Sequence, residues 1–169
     1  RAIALSALGR IDEAVAEQAA FLSAFECVPA SRHVHNVTSR QSLSVARVLL
    51  QGELLYRQED FDAAFAYLRK AVEVDDALPY DEPWGWMTPA RHALGALLLE
   101  RSTSPSLDST VAAALLAEAE AVYRADLRHH PNNLWALCGL VQCVKQRSKP
   151  LTSCYSATNG MNGGGDCGG

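Results

Sequence analysis

An all-α chain of antiparallel helix hairpins packed in series is the fold the sequence predicts, and three observations predict it. Through residues 45–75, VARVLLQGELLYRQEDFDAAFAYLRKAVEVD, apolar residues recur at three-to-four spacing on either side of a short polar turn. Small residues stand where two such helices would touch. The same arrangement then recurs up and down the chain. In the first half of this stretch Val45, Val48, Leu49, Leu54 and Leu55 form the apolar stripe, interrupted by Gly52. A glycine inside a helix costs roughly 1 kcal/mol relative to alanine, so its use here is to admit a neighbouring helix. Glu59-Asp60 is the turn. Phe61, Ala64, Phe65, Leu68, Ala71 and Val72 make the second stripe, with Asp60 as N-cap and with Ala64 and Ala71 facing Gly52.

Gly52, Leu55, Phe61, Ala64, Leu68 and Ala71 fall in the order and spacing of the tetratricopeptide repeat (TPR), a helix–turn–helix unit of about 34 residues, and the chain resembles that family. LGRIDEAVAEQAAF places Gly9, Ile11 and Ala14 on the turn and second helix of an earlier unit. ARHALGALLLE, with Gly95, and AEAEAVYRADLRHHPNN, with Ala119, Tyr123 and Pro131, supply a later one. NLWALCGLVQC, with Trp135 and Gly139, opens a fourth. The resemblance implies a TPR-like α-solenoid over 1-147, about three repeats and a partial fourth. The run ALPYDEPWGWMTPARHALGALLLE with AEAVYRADLRHHPNNLWALCGL is similar to the C-terminal end of long TPR proteins of undefined function, which carry no catalytic residues to transfer.

In chain order, residues 1–8 read as a helix stub and Ile11 to Cys27 as its partner, with Asp12 and Glu13 in the first turn where negative charge is favourable. Ala14 and Ala64 occupy equivalent places 50 positions apart, about 16 more than one repeat. Part of that excess lies in 28–40, VPASRHVHNVTSR, a loop punctuated by Pro29 and closed by Thr38 or Ser39 as helix cap. After the central hairpin, ALPYDEPWGWMTP (77–89) holds three prolines and a glycine, which forbid a regular helix through its middle. Its aromatics Tyr80, Trp84 and Trp86 either pin the loop to its own core or offer a stacking surface to a ligand. Thr88 as cap and Pro89 at the first helical position start a helix through Leu99. Residues 102–106 break it, and Asp108 or Ser109 caps a long helix to about His130, whose VAAALLA segment is apolar on several faces. Pro131-Asn132-Asn133 ends that helix and caps the last one. Residues 148-169 form a Gly/Ser/Asn-rich tail expected to be disordered, because it cannot repay the entropy of folding. The terminal helix of 132-146 is thereby left without a second-helix partner, as in an excerpt of a longer array.

With about half of its 169 residues hydrophobic, the chain can bury a core. A net charge of −4 and pI near 5.7, with only the short basic run Lys145 to Lys149, argue against nucleic acid or an anionic membrane as partner. Five cysteines without CxxC spacing suit a reducing, cytoplasmic setting. No apolar run approaches the roughly 18–20 residues that span a bilayer. Any targeting signal would lie upstream of Arg1.

Enzyme chemistry finds no motif. His33, His35, His92, His129, His130, Cys138 and Cys143 match no zinc spacing, and Glu53, Glu59, Asp60 and Glu100 make an acid/base pair only on paper. No catalytic residue, cofactor or metal is therefore expected, and a metal-dependent hydrolase is the least supported alternative. The leading expectation is a protein–protein interaction module. First helices of stacked hairpins line a concave face that meets a peptide or partner helix. By this register the face holds Glu53, Tyr56, Arg57, His92, Glu100 and Asn133, with Trp84 and Trp86 as aromatic anchors. The family's carboxylate-clamp subgroup uses lysine and asparagine where Leu49 and Glu53 stand, which argues against chaperone-tail binding. The second expectation, from another class, is a structural spacer or self-association element working through Trp135, Leu137 and Leu140 of the 132-146 helix.

Overall fold

The computed structural model describes residues 1–148; the expected tail, Ser148 apart, lies outside the described residues, as do Cys154 and Cys167. Seven helices are described: α1 (Ala2–Ala7), α2 (Ile11–Glu26), α3 (Ser39–Arg57), α4 (Phe61–Asp76), α5 (Ala90–Ser102), α6 (Ser109–His129) and α7 (Leu134–Arg147). Consecutive helices pack as α1·α2, α3·α4, α5·α6 and α6·α7. The odd-numbered helices also touch in series, α1·α3, α3·α5 and α5·α7, while α2 and α4 each pack on the odd helix that follows.

Local chemistry sets the helix ends. Thr38 forms a capping box with Gln41: its hydroxyl accepts from the Gln41 N–H, and the Gln41 side chain accepts from the Thr38 N–H. Asp60, Asp108 and Asn133 cap α4, α6 and α7 through their side-chain oxygens. Three tight helix–helix turns each hold one residue at positive φ, Gly9, Glu59 and Asn132. The first two share one hydrogen-bond pattern 50 positions apart: Arg10 N–H to Leu5 C=O mirrors Asp60 N–H to Leu55 C=O, and Ala14 N–H to Arg10 C=O mirrors Ala64 N–H to Asp60 C=O.

The start of α5 differs from the expectation. Pro89 is the N-cap rather than the first helical residue, and Thr88 does not cap; the Ala90 N–H is taken instead by Asp75 Oδ2 from the end of α4, at 3.0 Å. The helix also runs to Ser102 rather than Leu99, since Glu100 and Arg101 are good helix formers and the break waits for the turn at Ser104 and Pro105. Within 28–40 the expected loop contains a minimal antiparallel ladder, β1 (His33–Val34) and β2 (Val37–Thr38), turned by His35 at φ 55° and Asn36. Val37, 1 % exposed, fits beneath Gly85, where an added Cβ would meet Val37 Cγ2 at 2.7 Å. The Asn36 side chain donates to the Tyr80 carbonyl at 3.2 Å and the Asn36 N–H to Asp81 Oδ2 at 3.3 Å, so the two long loops hold each other, while Ser42 of α3 donates to the Gly85 carbonyl at 2.8 Å.

The main core runs from Val45 and Leu49 through Leu68, Leu94 and Leu98 to Tyr123, Ala136 and Cys143, with a small second cluster of Leu5, Ala14 and Leu54. Burying each large aliphatic side chain contributes about 1.5–3 kcal/mol. Gly52 does admit its neighbour: a Cβ there would lie 2.8 Å from Leu68 Cγ and 3.2 Å from the Ala64 carbonyl. Gly95 and Gly139 serve the Tyr123 ring in the same way. It wedges between α5 and α7, closer to both glycine backbones than any side chain would permit.

Candidate functional site

Four of the expected site residues meet at the C-terminal ends of α3 and α5. Glu100 Oε1 accepts from both the Tyr56 hydroxyl (3.2 Å) and Arg57 Nη1 (2.9 Å), bridging the two helices. The Arg57 guanidinium lies 5.1 Å from the centre of the Tyr56 ring, and Arg101 lies 3.8 Å from that of Phe61. Arg57 Nε is buried with no acceptor among the described residues, so part of this cluster's donor capacity is unspent. Burial pushes the Glu53 carboxyl above its ordinary value, with Glu100 adding to the shift and Arg57 opposing it. Burial, then the charge of Glu100 and the hydrogen bond to it, push the Tyr56 phenol up to about 12. Tyr56 itself is 6 % exposed and packs edge-on to Phe61 and Phe65, so it supports this cluster from beneath rather than presenting a ring to a ligand. A hollow of about 310 Å³ lies here, lined by an edge of Tyr56 together with Arg57, Glu59, Phe61, Glu100, Arg101 and Ser104.

The other expected residues lie elsewhere. His92, near the start of α5, hydrogen-bonds through Nε2 to Asp126 Oδ2 of α6 at 3.0 Å. Asn133 spends its side-chain oxygen on the Trp135 and Ala136 N–H groups. Trp86 is packed against the main core with its indole N–H buried and unpartnered among the described residues, so it pins the loop as the plainer of the two readings expects. Trp84 does otherwise: 42 % exposed, it stacks on His130 with ring centres 4.6 Å apart.

Asp126 escaped the sequence reading. Fully buried, it sits between two histidines, with His130 Nε2 3.9 Å from its Oδ1, and that oxygen has no hydrogen-bond partner among the described residues. The signal was present as an acid in step with the core positions Ala119 and Tyr123, where a helix of this period expects an apolar residue. Beside this cluster lies a cleft of about 480 Å³, walled by the ends of α4 and α6 and by the 77–89 loop. Cys27 and Cys138 are exposed free thiols, whereas burial raises the pKa of the Cys143 thiol. Among the described residues, no three His, Cys, Asp or Glu side chains converge to hold a metal ion.

Among the described residues the fold is of the all-α class, mostly helical, with polar clusters at both ends of α5 and no helix long and apolar enough to cross a membrane. No family model, curated protein or solved structure matches this chain.

Proposed function

We propose that the chain is a TPR-like repeat module of a solenoid that binds a peptide or partner helix across its odd-numbered helices. The observation that carries the reading is the serial packing of α1, α3, α5 and α7 as one layer, with Arg57 and Glu100 bridging two of its members beside an open hollow. The matched turns at Gly9 and Glu59 support a repeating unit. A peptide laid across α3 and α5 has hydrogen-bonding capacity to meet in the Arg57 guanidinium and Glu100, with Phe61 and Arg101 supplying a stacked floor.

The test is selection of a displayed peptide library on the intact chain, repeated with Arg57→Gln and Glu100→Gln protein of unchanged circular dichroism. Ligands enriched by the original and bound about tenfold more weakly by both variants support the groove, a loss of about 1.4 kcal/mol. Enrichment that neither variant alters removes it. Tyr56→Ala is a poor probe, because it opens the core.

A second reading, self-association through the 132-146 helix, is favoured by one observation. Leu134 and Trp135 of α7 are 66 % and 74 % exposed, and Leu137, Val141 and Val144 of the same helix are exposed as well. Light scattering at rising concentration, with Trp135→Ser and Val141→Ser as controls, separates it from the groove. A monomer throughout excludes it.

A further inference from the structure

Two helices expose apolar stripes of the same design and opposite charge. On α7, Leu134, Leu137, Val141 and Val144 follow one another at spacings of three, four and three, and are 66 %, 40 %, 48 % and 37 % exposed. At about 100° per residue they fall within about 80° of arc, the narrow a/d stripe by which one helix packs along another. Trp135 stands about 140° from the middle of that stripe, on another side of the helix. On α2, Val15, Ala19 and Leu22 are exposed at spacings of four and three, with Asp12 and Glu26 continuing the line at either end. In both helices the stripe lies about 120° from the buried face, measured from Ala14 on α2 and from Ala136 on α7. The charges differ. α2 carries Asp12, Glu13, Glu17 and Glu26 with no Lys or Arg, and α7 carries Lys145 and Arg147 with no Asp or Glu. Glu13, Glu17 and Glu26 pair with Arg10, Arg1 and Arg40, and Arg147 with Glu120, which leaves Asp12 and Lys145 exposed and outside every ion pair among the described residues.

We propose that the α2 stripe of one copy of this chain docks antiparallel on the α7 stripe of another, joining copies head to tail. In that setting Val15 comes beside Val141, Ala19 beside Leu137 and Leu22 beside Leu134, and Asp12 reaches the end of α7 that bears Lys145. The parallel setting would bring Lys145 to Glu26, a carboxylate already held by Arg40 at 3.3 Å. Two α7 helices docked on each other would join faces with no acid, and two α2 helices faces with no base, so the complementary pairing is between unlike faces. No two-fold axis closes such a contact; each added copy presents a fresh face, and the product is an open chain. Stripes of three or four residues bury less than the roughly 1,200 Å² of a stable interface, so assembly sets in only at concentrations on the order of 0.1 mM. This pairing rests on the self-association read from α7 above and names the surface that α7 meets.

Sedimentation velocity of the intact chain at concentrations up to about 1 mM tests it. One variant removes each face, Val15→Ser/Leu22→Ser and Leu137→Ser/Val141→Ser; all four side chains are exposed, and circular dichroism checks the folds. Three results support the contact: a parent mass that rises past the dimer with concentration, a monomer for either variant alone, and a one-to-one mixture of the two variants that stops at the dimer. Each variant keeps the face that the other lacks. Asp12→Lys is expected to weaken assembly about threefold or more, and the double exchange Asp12→Lys/Lys145→Asp to restore it. A parent that stays monomeric to about 1 mM overturns this pairing and the self-association together. A Val15→Ser/Leu22→Ser chain that assembles as the parent does overturns this pairing alone and leaves α7 meeting α7. Assembly that survives Leu137→Ser/Val141→Ser, or a mixture of the two variants that stays monomeric, overturns it as well.

Discussion

The two polar clusters on α5 are built from similar parts and held in opposite ways. Near its C-terminal end, Glu100 is met by an arginine and a phenol at a half-open surface, with side-chain exposures of 28 % for Arg57 and 53 % for Glu100. Near its N-terminal end, Asp126 is sealed from solvent and met by imidazoles alone, His92 at 3.0 Å and His130 at 3.9 Å. Water and salt screen the first carboxylate, so its ion pair contributes little to stability. The second has only its neighbours to offset the cost of burial, and one of its oxygens lacks a partner among the described residues. An exposed cluster is free to exchange its partners for those of a ligand, whereas a buried one fixes geometry.

The largest effect that tests this contrast is Asp126→Ala, which strands His92 beside a new cavity and is expected to cost about 3 kcal/mol in urea unfolding, against less than about 1 kcal/mol for Glu100→Gln. Similar losses for the two would erase the distinction. Next comes the packing that holds the buried side together. Gly139→Ala drives a methyl into the Tyr123 ring and is expected to lower stability by about 1–2 kcal/mol in thermal melts, even after the gain in helix propensity.

A smaller effect is spectroscopic. Burial, the largest cause for each, pushes the Tyr56 and Tyr123 phenols up to about 12, and Glu100 adds to the shift at Tyr56 alone. In absorbance titration Glu100→Gln should bring the Tyr56 midpoint down toward 10 and leave that of Tyr123 in place. Because both folded values are raised, the stability linked to these phenols is full below pH 10 and is lost as pH rises through about 12. The smallest effect concerns Glu53. Its folded pKa is raised above the ordinary 4.5, so its contribution is full below that value and lost as pH rises through the folded pKa. Glu53→Gln should flatten this part of the stability profile and leave neutral-pH stability no lower than that of the parent chain.

What could be foreseen follows the range of the interactions. Asp60, Thr38, Asp108 and Asn133 act on N–H groups two or three positions away, so the sequence named Asp60 outright and narrowed the other three caps to two or three neighbouring residues. The stripes of α3 and α4 gave Gly52 its role, and the grouping of Glu53, Tyr56, Arg57 and Glu100 followed from helical register. His92 was misplaced because its partner, Asp126, lies 34 positions away on another helix, and no local pattern couples the two. Trp84 and Trp86 sit two residues apart in one irregular loop with opposite fates, one stacked on His130 and the other packed on the main core, and no local pattern sets either contact. The β1–β2 ladder escaped for a similar reason. Two-residue strands have no period to read, and Val37 is buried only because Gly85 comes over it.

The hydrogen bond from the Ala90 N–H to Asp75 has a consequence for how the chain tolerates being cut or lengthened. The first turn of α5 takes its cap from α4, so its position is held by that bond and by the core as well as by the backbone of the segment between them. Met87, 69 % exposed at the end of that segment, marks a place where a protease nick, an inserted peptide or the new termini of a circular permutant should leave both helices in register.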